Sequence, residues 1–501
     1  MADGTGLVTD MKTNKKIDKK IDKKIVSISI MAVFSLLLSG CSQSATTYEN
    51  YVPEVSEVSS ISPVGTVLNT ESYEGEESVS EEVEKSFSSE DGLCVIEKKP
   101  SYYEVYLDYT GGDYGAVGRA YGETIKKLGF DFEEIMEPYL YENINMAFPN
   151  LGNDYTPVVE RITELKKNIP EDYLSEINGF AEALSDGFTG MESDGKISYE
   201  EALLMQMVPD ALRGTNCNAL SVWGDKTVTG DKINSRTLEW SLGSENQMCK
   251  AQAVTHFKMG EGKNSYVTFS VLGMLDMLTG INDKEVMVGI LDVGSGLDYE
   301  CEGKKCYTYE LRYALENMAD ARSIGEYMVS ESRNFTYSHN ILITDKKDSF
   351  VAEDCVIRLC DIPEAERQEL DDDFDPEAVL RDKDTPLMEG ITWDNPDSLC
   401  VINAFMSDGT DDYFTASDSN FVRFSKFNTW VGDKEKLSVS DVKDIVTRET
   451  VDMPSGIQKL HSEIVFQTII YDYSTDNIEV CFTGEEGVVN HPDFVKIEAD
   501  F

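Results

Sequence analysis

Histidine is scarce in this chain: four occur among 501 residues, and no two cysteines have CxxC spacing. Structural zinc sites are usually built from closely spaced cysteines and histidines, so the composition argues against a zinc centre. The same scarcity weakens any mechanism in which a histidine activates a cysteine. A papain-like peptidase that uses His256 or His339 stays open as an alternative, although no local signature of that class is present.

Positive charge is also in short supply. The chain has 44 Lys and Arg against 93 Asp and Glu, which gives a formal net charge of −49 at pH 7. A protein with this excess of acid repels the phosphate backbone of nucleic acids and the surface of an anionic membrane. The charge therefore argues against nucleic acid as a partner and indicates a solvated surface.

The first 40 residues follow the pattern of a secretory signal peptide. Lysines crowd the segment "KTNKKIDKKIDKK", the apolar run "IVSISIMAVFSLLLSG" comes next, and Cys41 follows it. This ending resembles the lipobox of bacterial lipoproteins, in which the cysteine receives a lipid and becomes the mature N-terminus. An uncleaved transmembrane anchor is the alternative, but the apolar run is short for a membrane span. We expect Cys41 to anchor the protein to the extracellular face of a bacterial membrane.

Two segments that differ in composition and in apolar periodicity follow. Residues 41–92 are rich in Ser, Glu and Val and show no helical period, which predicts a disordered tether. From 93 to 216, apolar residues recur at three- and four-residue spacing, as in "YTPVVERITELKKNI", which predicts a mainly helical segment. Within it, Ser198 and Glu201 fit a helix-capping box. The alternative is half of a calcium loop, with Gly195 at its sixth position and Glu201 at its twelfth.

The pattern becomes β-rich at Cys217. Short runs such as "NALSVWG", "KINSRTLEWS" and "EVMVGILDVG" are separated by turns, and helical pattern returns at "YTYELRYALENMADARSIGEYMVSES" and "SVSDVKDIVTRE". The segment "EIVFQTIIYDYSTDNIEVCFTG" predicts a hairpin with Asp476 and Asn477 in its turn. The acidic stretch 361–397 predicts a solvated surface insertion. Helices, then strands, a helix and more strands predict a layered α+β domain rather than βαβ units.

Nine cysteines remain beside Cys41, so at least one is free if all pairing is intramolecular. Cys301 with Cys306, and 355 with 360, are close enough in sequence to pair, but they also fit as buried thiols. Cys217 has a further possibility. If the chain were cut just before it, the new N-terminal residue would carry a thiol and an α-amine. An α-amine titrates near neutral pH and can act as the base for its own thiol, so no histidine is needed.

The segment from Cys217 to Trp240 resembles the N-terminal nucleophile hydrolases, in particular the isopenicillin-N acyltransferase-like family, which is related to choloylglycine hydrolases and acid ceramidase. The family has a cysteine at the head of a strand, a hairpin, and a strand that ends in a Gly-Arg-Asn-Leu-Asp-Trp-like run. Here that run is "SRTLEW". Other family motifs are similar, in matching order, to "YLSEINGFAEAL", "LGMLDMLTGINDKEVMV", "HNILITDKKDSFVAEDC", "LCVINAFMS" and "SDSNFVRFSKF". The resemblance spans about 102–480.

The resemblance implies a four-layer αββα sandwich in which a helical N-terminal chain, 93–216, precedes a catalytic chain, 217–501. It also implies self-cleavage between Asn216 and Cys217, with Cys217 as the nucleophile and no cofactor or metal. The other family site residues match Arg236 and Glu239 beside the N-terminal residue, Asn403 and Asn282 as oxyanion donors, and Arg423.

Structural roles are the alternatives for these matches. Arg236 and Glu239 would also fit an exposed cross-strand ion pair. Asn282 would fit a turn in "TGIND", and Arg423 would fit a cation on a helix surface. Asn403 lies in an apolar strand, where a buried amide needs a reason to be present.

The implied activity is hydrolysis of a small linear or N-acyl amide through a thioester on Cys217. Acyl transfer on the same scaffold is an alternative, but CoA thioesters are cytoplasmic, which favours hydrolysis for a cell-surface protein. A non-catalytic, ligand-binding lipoprotein is the other alternative. It is supported by Glu239, where the family usually has Asp, and by Ala404, where the family usually has His.

Overall fold

Two stacked β-sheets with helices on their outer faces make up the described part of the chain. The structure is a computed structural model, and it describes residues 78–129, 131–212, 215–293, 299–330, 334–354, 378–408, 418–448, 451–453, 456–458, 464–487, 492–499 and 501. All of these belong to the second of the two units into which the chain divides, 75–501. The predicted signal peptide, Cys41 and most of the predicted tether lie outside the described residues.

The larger sheet has ten strands, numbered here in chain order. They are β1 (Lys85–Ser88), β2 (Cys94–Lys98), β3 (Tyr103–Asp108), β6 (Gln252–Lys258), β7 (Tyr266–Val271), β8 (Thr279–Asn282), β9 (Met287–Asp292), β10 (His339–Thr344), β11 (Ser349–Asp354) and β12 (Val379–Arg381). They lie side by side in this same order. Only β3 and β6 are parallel; the other neighbours are antiparallel.

The smaller sheet has six antiparallel strands. In spatial order they are β13 (Ser398–Val401), β4 (Thr215–Val222), β5 (Ile233–Trp240), β16 (Val465–Asp472), β17 (Asn477–Phe482) and β18 (Val495–Ile497). A separate hairpin joins β14 (Val451–Met453) to β15 (Gly456–Gln458). The predicted hairpin around Asp476 is confirmed as β16 and β17, with Asp476 in the left-handed conformation at φ 53°.

Ten α-helices are described. They are α1 (Tyr114–Lys126), α2 (Phe132–Ala147), α3 (Thr156–Leu165), α4 (Glu171–Ser185), α5 (Tyr199–Met205), α6 (Val208–Ala211), α7 (Tyr307–Asn317), α8 (Ala321–Met328), α9 (Asp418–Gly432) and α10 (Val439–Val446). Helix α5 begins at a capping box, because the Ser198 hydroxyl accepts from the Glu201 backbone N–H and the Glu201 carboxylate accepts from the Ser198 backbone N–H. The structure thus confirms the prediction of a capping box and not the alternative of a calcium loop.

The helices and sheets stack in four layers. Helix α1 packs on β2 and β3, and α7 and α8 pack on β8, β10 and β11 of the ten-stranded sheet. Helices α9 and α10 pack on β13, β5 and β16 of the six-stranded sheet, while β4 of that sheet packs against β9 of the other. This arrangement confirms the α+β class and the αββα layering. Because each sheet is covered on both faces, even the polar strand β5, "INSRTLEW", is buried along its whole length.

Three boundaries differ from the sequence prediction. Strand β1 lies within the segment predicted as a disordered tether, and it pairs with β2. The segment 93–216, predicted as helical, contributes β2 and β3 before its helices begin. Midway through the acidic stretch 361–397, strand β12 pairs with β11 and buries Arg381; residues 361–377 lie outside the described part. Strands β1 and β12 are the edges of the ten-stranded sheet, and each is short and only partly buried, so a hydrophobic pattern marks neither of them and ladder hydrogen bonds hold them.

The described cysteines are free thiols. Cys301 and Cys306 are not bonded to each other, so the possible disulfide between them is not formed, and Cys306 is buried as a small apolar side chain. The second candidate pair, 355 and 360, lies outside the described residues. Across the described ranges, no helix combines the length and the apolar character needed to cross a membrane. In those same ranges, no cluster of His, Cys, Asp and Glu is arranged to hold a metal ion.

A buried carboxyl on α6 leads to a stability prediction. Asp210 accepts hydrogen bonds from the Tyr307 backbone N–H at 2.8 Å, the Thr308 hydroxyl at 2.6 Å and the Thr336 hydroxyl at 3.1 Å. Burial still raises the pKa of Asp210 to about 7. The folded state therefore holds this proton more tightly than the unfolded state does, so the free energy of unfolding should fall as the pH rises from about 4 to about 7.

We expect Asp210→Asn, which cannot titrate, to remove this contribution. Its stability relative to wild type should rise between pH 5 and pH 8, by about 3 kcal/mol. Urea denaturation of both proteins at the two pH values measures the difference. Parallel pH profiles for the two proteins would show that Asp210 does not titrate in this range.

Candidate active site

Cys217 is the third residue of β4, and its side chain is 0% exposed. The predicted cut site, Asn216–Cys217, therefore lies inside a continuous strand, between β13 and β5. Three atoms of Cys217 are each held by a different side chain. Its backbone N–H donates to Asn403 Oδ1 at 2.8 Å, its carbonyl accepts from Arg423 Nη2 at 3.0 Å, and its Sγ accepts from Arg236 Nη2 at 3.1 Å.

Arg236 reaches the thiol from the adjacent strand, β5. The β4–β5 hairpin register pairs Ala219 with Arg236, so a separation of 19 positions in the sequence becomes a contact across two strands. The guanidinium is fully buried and also donates to the Ile290 carbonyl of β9 at 2.5 Å. A Cβ at Gly289 would lie only 2.8 Å from Arg236 Cγ, so a glycine is required where the arginine stem crosses β9.

The charge of Arg236 is only partly satisfied by its neighbours. Its Nε and Nη1 are buried and make no hydrogen bond with any described residue. Burial lowers the pKa of Arg236, although the Cys217 thiol and the carboxylates of Glu239 and Asp292 counteract this. Burying a cation with two unsatisfied donors is costly, so a position beside a thiol suggests that the cation stabilises negative charge that develops there.

The thiol itself is not activated in the uncut chain. Burial raises the pKa of Cys217, while Arg236 and a hydrogen bond from the Glu239 backbone lower it. The negative charges of Glu239 and Asp292 raise it further. The net direction is upward, so the cation alone does not make a thiolate and a base is still needed.

Asn403, just after β13, connects the nucleophile to the other sheet. Its Oδ1 accepts from the Cys217 N–H, and its Nδ2 donates to the Asp292 carbonyl at 2.7 Å. These two partners fix the orientation of the amide, because an N–H needs an acceptor and a carbonyl needs a donor. Asn403 therefore contacts the nitrogen of Cys217, whereas the family resemblance implies a role as an oxyanion donor.

Arg423, which lies on α9 in the outer helix layer, and Glu239, which lies on β5, are the remaining residues of the site. Arg423 Nη1 donates to Asn403 Oδ1 at 3.4 Å, and Arg423 Nη2 lies 3.4 Å from Glu239 Oε2. Glu239 is buried, and burial raises its pKa even though Arg423 and Arg236 act in the opposite direction. The alternatives of an exposed β5 ion pair and of a surface cation on α9 are therefore wrong: Glu239 pairs with Arg423, and both are largely buried.

Asn282 is the one predicted site residue that lies elsewhere, and this corrects the sequence interpretation. Its Oδ1 accepts from the backbone N–H groups of Lys284 and Val286, and its Nδ2 donates to the carbonyls of Leu315 and Met318. The contacts with Lys284 and Val286 are those of a turn residue, and the other two join the turn to the C-terminal end of α7. In the sheet, residue 279 of β8 pairs with Gly289, the glycine that contacts Arg236. Asn282 lies three residues farther along β8, which places it roughly 10 Å from residue 279.

Asp292 is a site residue that the sequence analysis missed. It ends β9, its carbonyl accepts from Asn403, and its carboxylate accepts from the Tyr307 hydroxyl at 2.8 Å. The only signal in the sequence was an acid that interrupts the apolar run "EVMVGILDVG". Histidine contributes no described contact to the thiol: His256 bonds Glu104, and His339 Nδ1 bonds the Tyr337 carbonyl. The papain-like alternative therefore gains no support.

No family model and no curated protein matches this chain. Solved structures that resemble it include a Caenorhabditis elegans ortholog of N-acylethanolamine-hydrolyzing acid amidase, with 14% identity and a TM-score of 0.34 over 51% of this chain and 92% of that one. A C2A mutant of conjugated bile acid hydrolase from Clostridium perfringens has 9% identity and a TM-score of 0.33, over 57% and 93%. Penicillin V acylase from Agrobacterium tumefaciens has 11% identity and a TM-score of 0.30, over 53% and 83%.

These structures are all N-terminal nucleophile hydrolases, the group that the motifs around Cys217 resemble. Identities between 9% and 14% with TM-scores below 0.5 assign no activity to this chain. Its chemistry has to follow from its own residues.

Proposed function

We propose that this protein is an amide hydrolase that uses Cys217 as an N-terminal nucleophile after cutting its own chain at Asn216–Cys217. One observation carries the proposal: the nitrogen, the carbonyl and the sulfur of Cys217 are held by Asn403, Arg423 and Arg236 respectively. An ordinary buried cysteine packs as a small hydrophobe and needs no such set of polar partners. A residue that must present both its nitrogen and its thiol does need them.

Self-cleavage proceeds through an N-to-S acyl shift. Cys217 Sγ attacks the Asn216 carbonyl carbon, the thiol proton passes to the amide nitrogen, and the C–N bond breaks as a thioester forms. Water then attacks the thioester, which yields the Asn216 carboxylate and the free thiol of Cys217. The nitrogen of Cys217 has become an α-amine, and Asn403 Oδ1 is already beside it to accept one of its hydrogens.

The same residues then act on a separate amide. The α-amine takes the proton from Sγ, which supplies the base that the buried thiol lacks in the uncut chain. Arg236 stabilises the resulting thiolate, and the protonated amine gives its proton to the leaving amine as the acyl group transfers to sulfur. Water releases the acyl group as a carboxylate. Arg423, neutralised by Glu239, holds the carbonyl of Cys217 so that the amine and the thiol stay in register.

The substrate class that suits this chemistry is a small linear or N-acyl amide. We also propose that the enzyme acts outside the cell as a lipoprotein anchored through Cys41, because a signal-like segment ends at that residue. In that location water is available as the acyl acceptor, whereas acyl-CoA, a cytoplasmic acyl donor, is not available. Hydrolysis is therefore favoured over acyl transfer.

Intact mass spectrometry tests the proposal. We expect the purified chain, expressed without residues 1–40, to appear as two fragments, the second of which begins at Cys217. Cys217→Ala should remain a single chain, because alanine has no nucleophile. Cys94→Ala is the matched control, since Cys94 is an equally buried free thiol remote from the cut site in sequence, and it should be cut like wild type.

A wild-type chain that stays whole would contradict the proposal, because Cys217 would then have no α-amine to act as its base. That result would favour the second candidate, a ligand-binding protein without catalysis. A cut at another peptide bond, or a cut that persists in Cys217→Ala, would point to an external protease.

A further inference from the structure

We propose that Asn340 is a positioning residue for Asn403: from β10 it fixes the backbone on both sides of the residue that holds the nitrogen of Cys217. The proposal deepens the proposed function and rests on it. It also assigns a role to the motif "HNILITDKKDSFVAEDC", for which neither the sequence nor the mechanism supplied one.

The contact is specific to the two residues that flank Asn403. Asn340 Nδ2 donates one hydrogen to the Ile402 carbonyl at 2.9 Å and the other to the Ala404 carbonyl at 2.8 Å. The Asn340 side chain is 0% exposed, so water does not compete for these bonds. Residues 402–406 follow β13 outside any strand, so these carbonyls have no ladder partner, and a single side-chain amide takes over that role.

A second anchor holds the same segment farther along. Glu353 on β11 accepts from the backbone N–H groups of Met406 and Ser407, at 3.2 and 3.0 Å, and from Arg381 Nε at 2.7 Å. Arg381 in turn donates to the Cys400 carbonyl at 2.9 Å. Hydrogen bonds from the ten-stranded sheet therefore hold the segment 400–407 on both sides of Asn403.

Asn340 and Glu353 form one unit. They are directly opposite each other in the β10–β11 register, so their side chains lie on the same face of the ten-stranded sheet. That face holds the loop that carries Asn403, whose own amide reaches Cys217 in the other sheet. A displacement of about 1 Å at a catalytic group can cost roughly 100-fold in rate. The contacts that Asn340 and Glu353 make with this loop should therefore affect the reaction rate.

Asn340→Asp tests the inference, with self-cleavage as a readout that needs no added substrate. An ionised carboxylate would face two carbonyl oxygens and repel both, whereas a protonated one would still donate to one of them. We expect the self-cleavage rate, as a ratio to wild type, to fall at least tenfold at pH 8 and to recover in part at pH 5. Asn264→Asp is the matched control, because the Asn264 amide also bridges two carbonyls, those of Leu315 and Met318, away from the loop. Its ratio should stay near one at both pH values.

Amide hydrogen exchange separates this inference from the proposed function. In Asn340→Asp the peptide that covers 400–408 should exchange faster than in wild type, and in Asn264→Asp it should not. If the wild type is not cut, the proposed function fails, and the exchange result still decides whether Asn340 holds the loop. Unchanged exchange in 400–408, or a cleavage ratio that is low but independent of pH, would overturn the inference. If Asn340→Asp does not fold, Asn340→Ser, whose hydroxyl donates to one carbonyl at most, replaces it and should give faster exchange and slower cleavage.

Discussion

Replacing Arg236 with methionine is expected to slow self-cleavage and turnover by about 100- to 1,000-fold, the usual cost of losing one donor at developing negative charge. Methionine keeps most of the length and apolar volume of the stem but loses the Nη2 contact with Cys217 Sγ and the buried cation. Burial and two nearby carboxylates, which raise the pKa of the thiol, would then be opposed only by the hydrogen bond from the Glu239 backbone. The pH dependence of Cys217 alkylation by iodoacetamide, followed by mass spectrometry of its peptide, should move to higher pH.

Two companion variants separate the charge from its placement. Arg236→Lys keeps a cation but loses the planar group that reaches both Sγ and the Ile290 carbonyl, so it should recover only part of the rate. Gly289→Ala leaves Arg236 in place and adds a methyl group 2.8 Å from its Cγ, which should displace the guanidinium and slow the reaction as well. If Arg236→Met cuts itself within threefold of the wild-type rate, the cation has no part in activating the thiol.

Much of the fold was predictable because most strands are buried on both faces. Segments such as "EVMVGILDVG" and "HNILITD" are continuous apolar runs, and the structure forms β9 and β10 there. The single helical stretch expected from 307 to 332 is two helices, α7 and α8, because Asp320 caps a new helix start. Strand β1 was missed since it has one large apolar residue, Phe87, and its pairing with β2 is visible only in the folded sheet.

The site was predictable where a motif marks a side chain that contacts another side chain or the nucleophile. Arg236, Glu239, Asn403 and Arg423 do converge on Cys217. Asn282 was assigned to the site because a family motif and an ordinary turn look alike around "TGIND". Asn340 has backbone carbonyls as its partners, and these leave no trace in the identity of residues 402 and 404. Its role depends on a register that only the assembled sheets define.

Replacing Arg312 with methionine is expected to lower the free energy of unfolding by about 3 to 5 kcal/mol, the cost of leaving one buried charge without its partner. Arg312 on α7 and Glu176 on α4 are both 0% exposed. They form a bidentate ion pair, with Nη1–Oε2 at 2.5 Å and Nη2–Oε1 at 2.9 Å. Burial raises the pKa of Glu176, and Arg312 opposes that rise. Urea denaturation in a Cys217→Ala background, where the chain stays in one piece, measures the change.

The same pair bears on what happens after self-cleavage, because Glu176 precedes the cut and Arg312 follows it. The two pieces also share the ten-stranded sheet through the parallel pairing of β3 with β6. We therefore expect the cut wild-type protein to elute as one species in gel filtration, and Arg312→Met to release the N-terminal piece at lower urea. The double variant Glu176→Gln with Arg312→Met leaves no lone charge, so it should be more stable than Arg312→Met alone. If Arg312→Met lowers stability by less than about 1 kcal/mol, or if the double variant is the less stable of the two, then the ion pair does not hold the two pieces together.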